Sequence, residues 1–174
     1  MTYRLIVNGR PALRYPELRR YLTERGDSNL DSAALEDVRE AVLAIRKRKA
    51  MVIDPGDPDS RSAGSFFANP VVTADEFERI KTRAGRGSQD IPAFPADRGS
   101  IKLSAAGLIE QSGIRRGQTR RGVGVSTKHS LAIINRGGGT AREVVALTEE
   151  MKSRVKEKFG VELVPEPVFV GFSA

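Results

Sequence analysis

Two short stretches carry side chains able to do chemistry. In Ser62 to Pro70, SAGSFFANP, Gly64 permits a tight turn, Ser65 offers a hydroxyl, and Phe66 and Phe67 can anchor; Asn69 adds an amide before a proline that bars helix. Such a loop can hold one hydroxyl in place. The same residues also make a strand-to-loop transition whose rings are core and whose serine bonds nearby backbone. In Val164 to Val168, VPEPV, prolines on both sides of Glu166 fix its backbone direction and forbid helix, one way to aim a carboxyl into a cleft. As an isolated segment it more often reads as an edge-strand or turn glutamate. No histidine lies close to Ser65 in sequence, so nothing local supports a hydrolase triad. The chain has no Cys, which removes disulfides, thiolate nucleophiles and Cys-ligated zinc and fits a reducing compartment. The single histidine, His129, cannot build a multi-histidine metal site, although an all-carboxylate site stays formally open.

The formal charge of +7 points to an anionic partner, with nucleic acid and a nucleotide diphosphate equally good candidates. Two basic runs could serve either, Arg46 to Lys49 and Arg115 to Arg121, and each also reads as a solvated surface. At 174 residues and 39% apolar, the chain is one domain, or one domain with an appendage, able to bury a core. No apolar run approaches the roughly 18 residues of a membrane helix, and the first residues lack signal-peptide architecture, so a cytoplasmic protein without a membrane partner is expected.

The elements that must position these side chains follow from periodicity. Thr2 to Val7 alternates as a strand, and Asn8–Gly9 signals a hairpin turn returning through Tyr15. Pro16 to Leu22 fits one or two helical turns. Cap candidates at Asn29 to Ser32 precede a helix over about Ala33 to Arg48. Asp54 to Arg61, DPGDPDSR, is a polar loop leading to the serine turn. Thr73 and Glu76 form a capping box for a helix to about Ala84, with Phe77 and Ile80 on its apolar side. Residues 82–98 lack periodicity, and GRGSQ at Gly85 to Gln89 is a decoy for a phosphate loop, with no strand before it. Ser100 to Lys102 is extended. Ser104 caps a short helix that Gly113 ends, and Val123 to Ser126 and Leu131 to Asn135 are strands. After a Gly137–Gly139 turn, Thr140 and Glu143 cap a helix with Val144, Leu147, Met151, Val155 and Phe159 in one stripe, closed by Gly160. Glu162 to Val164 and Val168 to Phe172 are extended. The order points to an α+β domain with helices packed on one face of a small antiparallel or mixed sheet.

Four blocks, RKRKAMVIDPGDPDSRSAGSFFANPVV, IPAFPADRGSIKLSAAGLIEQSG, GVGVSTKHSLAIINRGGGTAREVVAL and KFGVELVPEPVFVG, resemble in order and spacing the C-terminal half of the MurB family, from about Tyr15 to Gly171. These are the UDP-N-acetylenolpyruvoylglucosamine reductases, flavoenzymes that make UDP-N-acetylmuramate for peptidoglycan. The resemblance implies that residues 1–22 are a hairpin left from the end of the flavin domain and residues 23–174 the substrate-binding domain. It implies that Ser65 donates a proton to C2 of the enolpyruvyl group after hydride reaches C3, and that Glu166 lies beside the substrate carboxylate and supports that protonation. Arg46 and Lys49 match an RxxK whose lysine meets the substrate diphosphate, and Asn69 and Lys102 match further contacts in that pocket. His129 stands where some relatives have Gln, Phe94 where some have Tyr, and Gly107 where Trp is usual, a loss expected to open the pocket wall. The substrate implied is UDP-N-acetylglucosamine enolpyruvate. FAD is implied on a flavin-binding domain supplied in cis or in trans, with NADPH as reductant; no FAD loop and no metal site is matched here, so the chain alone is expected to be inactive. The alternatives are a basic nucleic-acid-binding domain, which lacks aromatic interleaving in its basic runs, and a non-catalytic truncated scaffold.

Overall fold

The computed structural model describes residues 2, 4, 6–7, 9–26, 30–85 and 91–172. They divide into two compact units, Met1–Val52 and Ile53–Ala174. In the first, helix α1 (Pro16–Arg25) begins with proline in its first turn, where a missing N–H costs nothing, and stops at Gly26, whose φ of 106° is left-handed. Helix α2 (Leu35–Arg48) carries Glu36 and Asp37 in its first turn and Arg46 to Arg48 in its last, the order its dipole favours. Its cap position is Ala34, without a side-chain bond, and Leu30–Ser32 forms a separate single turn. The helices pack through buried Leu18, Leu22 and Ala41, and Arg25 bridges to Asp37 at 3.1 Å. Leu22 lies inside α1, and this small core keeps the helix pair together. Of the expected N-terminal hairpin, Tyr3, Leu5 and Asn8 lie outside the described residues. The described residues before α1 form no strand, and the Gly9 N–H closes a turn on the Ile6 carbonyl at 3.1 Å.

The second unit contains β1 (Ser62–Ser65), β2 (Val71–Val72), α3 (Ala74–Ala84), β3 (Ala93–Pro95), β4 (Ile101–Leu103), α4 (Ala105–Gln111), β5 (Thr119–Arg120), β6 (Val123–Val125), β7 (Ala132–Asn135) and α5 (Ala141–Phe159). The class is α+β, as expected. The strands form two antiparallel sheets rather than one, ordered β1-β7-β6-β5 and β2-β4-β3. Both capping boxes form, Thr73 with Glu76 on α3 and Thr140 with Glu143 on α5. Leu147, Met151, Val155 and Phe159 of α5 are buried against Leu108, Ile109, Val123, Val125 and Ile133.

Other segments differ from the sequence pattern. Strand β3 lies in a stretch without periodicity because Pro92 and Pro95 bound it, and β4 supplies its pairing. Arg115 to Arg121 is tied down: it includes β5, Arg116 binds Glu110 at 2.7 Å and Arg120 binds Glu150 at 3.1 Å. The stretches 162–164 and 168–172 form no ladder, since Pro165 and Pro167 remove two N–H donors; a single bridge joins Phe67 and Pro165. Gly85 ends α3, and Arg86 to Gln89 lie outside the described residues. Among the described residues no helix is long and apolar enough to cross a membrane.

Candidate functional site

Strand β1 is an edge strand with a bulge. Ser62 faces Ile134 and Ser65 faces Ala132, so three steps on β1 oppose two on β7. Gly64, at φ 83°, supplies the left-handed backbone this needs. Just beyond, the Phe66 N–H bonds the Leu131 carbonyl at 2.8 Å, while the Phe66 carbonyl accepts from the Glu166 N–H at 3.0 Å. The Ala68 N–H bonds the Val164 carbonyl at 3.0 Å. Residues 66–68 are thus held between the end of β7 and the proline-flanked segment, which brings the backbones of Ser65 and Glu166 together. Phe66 and Phe67 are buried, edge to face at 5.7 Å, and Phe66 also meets Phe169 at 6.3 Å. Ser65 is half-buried and Glu166 exposed.

Six residues of chain, at most about 20 Å, lead from Ser65 to Val71. On the way Asn69 turns its Oδ1 to the Ala105 N–H at 2.9 Å, so its carbonyl serves the start of α4. Lys102 sits in the central strand of the second sheet, with Val71 opposite on one side and Phe94 on the other. All three are exposed on one face, which places the expected lysine and aromatic side by side. His129 lies in the β6–β7 turn. Its Nδ1 accepts from the Leu131 N–H at 3.1 Å, which gives the neutral ring an Nε2–H. Arg46 and Lys49 belong to the Met1–Val52 unit, in a cleft of about 330 Å³ floored by Leu18, Val42, Ile45 and Met51. There the Lys49 ammonium is paired with Glu17 at 2.5 Å. At Gly107 no room for an indole exists: a Cβ would stand 2.6 Å from Cδ of Pro92.

Sequence reasoning missed Asp59. It is 2% exposed, and its Oδ2 accepts from Ser126 Oγ at 2.8 Å and from both the N–H and the Oγ1 of Thr127 at 2.6 Å. The Arg136 guanidinium stands 3.7 Å from Oδ1, and Oδ1 has no hydrogen bond among the described residues. Burial pushes this carboxyl up, but the bonds from Thr127 and Ser126, with Arg136 beside them, outweigh it and hold the carboxyl below its ordinary value. Within DPGDPDSR the only signal was Pro58 after Asp57, which starts the turn Pro58–Ser60 and points the next residue inward. Neighbouring Lys128 pairs with Asp57.

The fold defines an α+β domain of two small antiparallel sheets with helices packed against them, and a bridge from Phe67 to Pro165 ties the proline-flanked segment to the residues after β1. Residues 57–170 match the family of the UDP-N-acetylenolpyruvoylglucosamine reductase C-terminal domain, and the chain belongs to that family. It is 49% identical over 162 residues to UDP-N-acetylenolpyruvoylglucosamine reductase of Thermobifida fusca, covering 91% of this chain and 45% of that protein. Against the reductase of Mycobacterium tuberculosis it is 45% identical over 174 residues, 97% of this chain and 46% of that one. Against the Streptomyces coelicolor reductase it is 47% identical over 163 residues, 91% and 42%. The chain thus spans just under half the length of the curated relatives it matches.

Proposed function

We propose that this chain is the substrate-binding half of a UDP-N-acetylmuramate dehydrogenase of peptidoglycan precursor synthesis, working in the cytoplasm and inactive without a flavin-binding half in cis or in trans. Its substrate is UDP-N-acetylglucosamine enolpyruvate. FAD, held by the flavin-binding half and not by the residues of this chain, would supply the hydride chemistry there, with NADPH as its reductant. The glycine-rich junction of this chain does not fit that cofactor's diphosphate. At the strand–glycine–helix junction of β7 and α5 the N–H groups of Gly137 and Gly139 are taken by Asn135 Oδ1, and the Glu143 carboxylate closes the first turn of α5. The reading therefore gives flavin binding to the separate flavin-binding half.

What remains for this chain is the proton and the handling of the anion. The Ser65 O–H bond breaks as the C2–H bond forms, and the serine oxygen regains its proton from water. An alcohol is a weak acid near neutral pH, so the transfer needs a basic carbon beside it and donors that hold the substrate carboxylate and diphosphate. Glu166 stands next to the carboxylate and supports protonation. Lys102, beside Phe94, and Asn69 take the pocket contacts, with His129 offering one hydrogen bond. In the other unit Arg46 and Lys49 meet the diphosphate, Lys49 exchanging Glu17 for phosphate oxygens. The observation that supports this reading most is the bond from the Glu166 N–H to the Phe66 carbonyl, which joins two segments a hundred residues apart at the serine.

The test is reconstitution. NADPH oxidation driven by the enolpyruvyl substrate should require both this chain and a flavin half, and Glu166→Gln should lower kcat about 10²- to 10⁴-fold with flavin reduction intact. Turnover by the flavin half alone, or a Glu166→Gln enzyme with an unchanged pH–rate profile, would refute it.

A further inference from the structure

We infer that Asp59 is a positioning residue for Ser65: it fixes the β6–β7 turn, and that turn sets where the serine hydroxyl stands. The inference rests on reading Ser65 as the proton donor. Strand β1, SAGS, is four residues long at a sheet edge, and with a glycine, two serines and no fully buried residue it leaves register weakly specified. A slip of one residue would turn Ser65 to the opposite face of the sheet. Something outside the strand must therefore hold its two ends.

Asp59 holds the first. Three residues ahead of β1, its Oδ2 binds Ser126 and Thr127 at the start of the β6–β7 turn, and just after it the Arg61 carbonyl accepts from the Asn135 N–H at 2.9 Å. The far end of the same turn holds the other, through the bond from the Phe66 N–H to the Leu131 carbonyl. Between these ends the turn is braced by Ser126 Oγ, which accepts from the Lys128 N–H at 3.0 Å and the His129 N–H at 3.3 Å while donating to Asp59. The Ser126 N–H also bonds the Ala132 carbonyl at 2.9 Å. Release of Ser126 by Asp59 thus loosens the same turn that places Phe66, the residue bonded covalently to Ser65.

The choice of a buried carboxylate supports the assignment. A well-packed apolar residue stabilises a core at least as well as a buried charge, so stability alone does not call for aspartate here. One carboxylate oxygen accepting three donors can fix a turn in a way an apolar side chain cannot, and a neutral amide oxygen does so more weakly. The Asp59 bonds link residues nearly seventy apart in sequence, so no local turn chemistry replaces them.

The experiment compares Asp59→Asn and Thr127→Val with Met151→Ala, which empties a core position of α5 and serves as a matched global destabiliser. Native-state hydrogen exchange is read in the full chain at Phe66 and, as reference, at Leu103, whose N–H bonds the Pro70 carbonyl in the other sheet. Asp59→Asn is expected to speed exchange at Phe66 by about tenfold relative to Leu103, Thr127→Val less but in the same direction, and Met151→Ala to leave the ratio unchanged. Should Asp59→Asn fail to fold, Thr127→Val decides. In the enzyme reconstituted with its flavin half, Asp59→Asn should reduce kcat about tenfold with KM nearly constant and flavin reduction by NADPH untouched. Equal Phe66-to-Leu103 ratios in all three variants would overturn the inference. If Ser65→Ala turned over normally while the exchange ratio moved as expected, the proton-donor reading would fall and the hold of Asp59 on the serine turn would stand.

Discussion

Acidification should separate the Asp59 carboxylate from the rest of the fold's stability. In the native state this group accepts three hydrogen bonds at Oδ2 and lies near Arg136, with the Lys128–Asp57 pair alongside. A hydrogen bond to a charged acceptor contributes about 1 kcal/mol more than one to a neutral acceptor, so replacing the carboxylate by an amide should cost about 3 kcal/mol at pH 7. The native carboxyl titrates below its ordinary value, so the unfolded chain binds more protons on the way down. The contribution is therefore complete above the unfolded value of about 4 and disappears as pH falls through the lower native value. Urea unfolding of wild type and Asp59→Asn, followed by circular dichroism from pH 7 to pH 2, should show a gap of about 3 kcal/mol that holds to about pH 4 and narrows as pH falls further. A gap of constant size across that range would mean that shape, not charge, is what the position requires.

Gly107→Ala should lose about 1–3 kcal/mol in urea unfolding, because the new Cβ meets Pro92, and adding Pro92→Gly should restore part of it; an unchanged midpoint would contradict the contact. Arg121, at φ 53° and 87% exposed, with only a 3.9 Å approach to Glu143, should be replaced by glycine with a gain of about 1 kcal/mol, read as a higher urea midpoint. A lower midpoint for Arg121→Gly would show that the ion pair matters more than the backbone strain.

Legibility followed the range of the interactions. Both capping boxes, the α5 stripe and the closing Gly160 were readable because each depends on residues within a few turns of one another. At Thr2 to Val7, Tyr3 and Leu5 lie outside the described residues, and the described ones belong to no strand. Strand β3 was invisible because its three residues have no pattern of their own and gain their conformation from β4. At the site, Ser65 and Glu166 stood out by residue type and flanking prolines, and Lys102 and Phe94 proved to be cross-strand neighbours. Asp59 was hidden, because its partners Ser126 and Thr127 lie far along the chain and a single sequence gives no sign of the pairing.

The serine hydroxyl itself is tested most directly by single-turnover kinetics. Enzyme reconstituted with a flavin half and reduced in advance is mixed with UDP-N-acetylglucosamine enolpyruvate, and flavin reoxidation is followed in wild type and Ser65→Ala. The account predicts reoxidation slowed about 10²- to 10⁴-fold with the rate of reduction by NADPH unchanged. Equal losses in both half-reactions, or no loss in either, would contradict it.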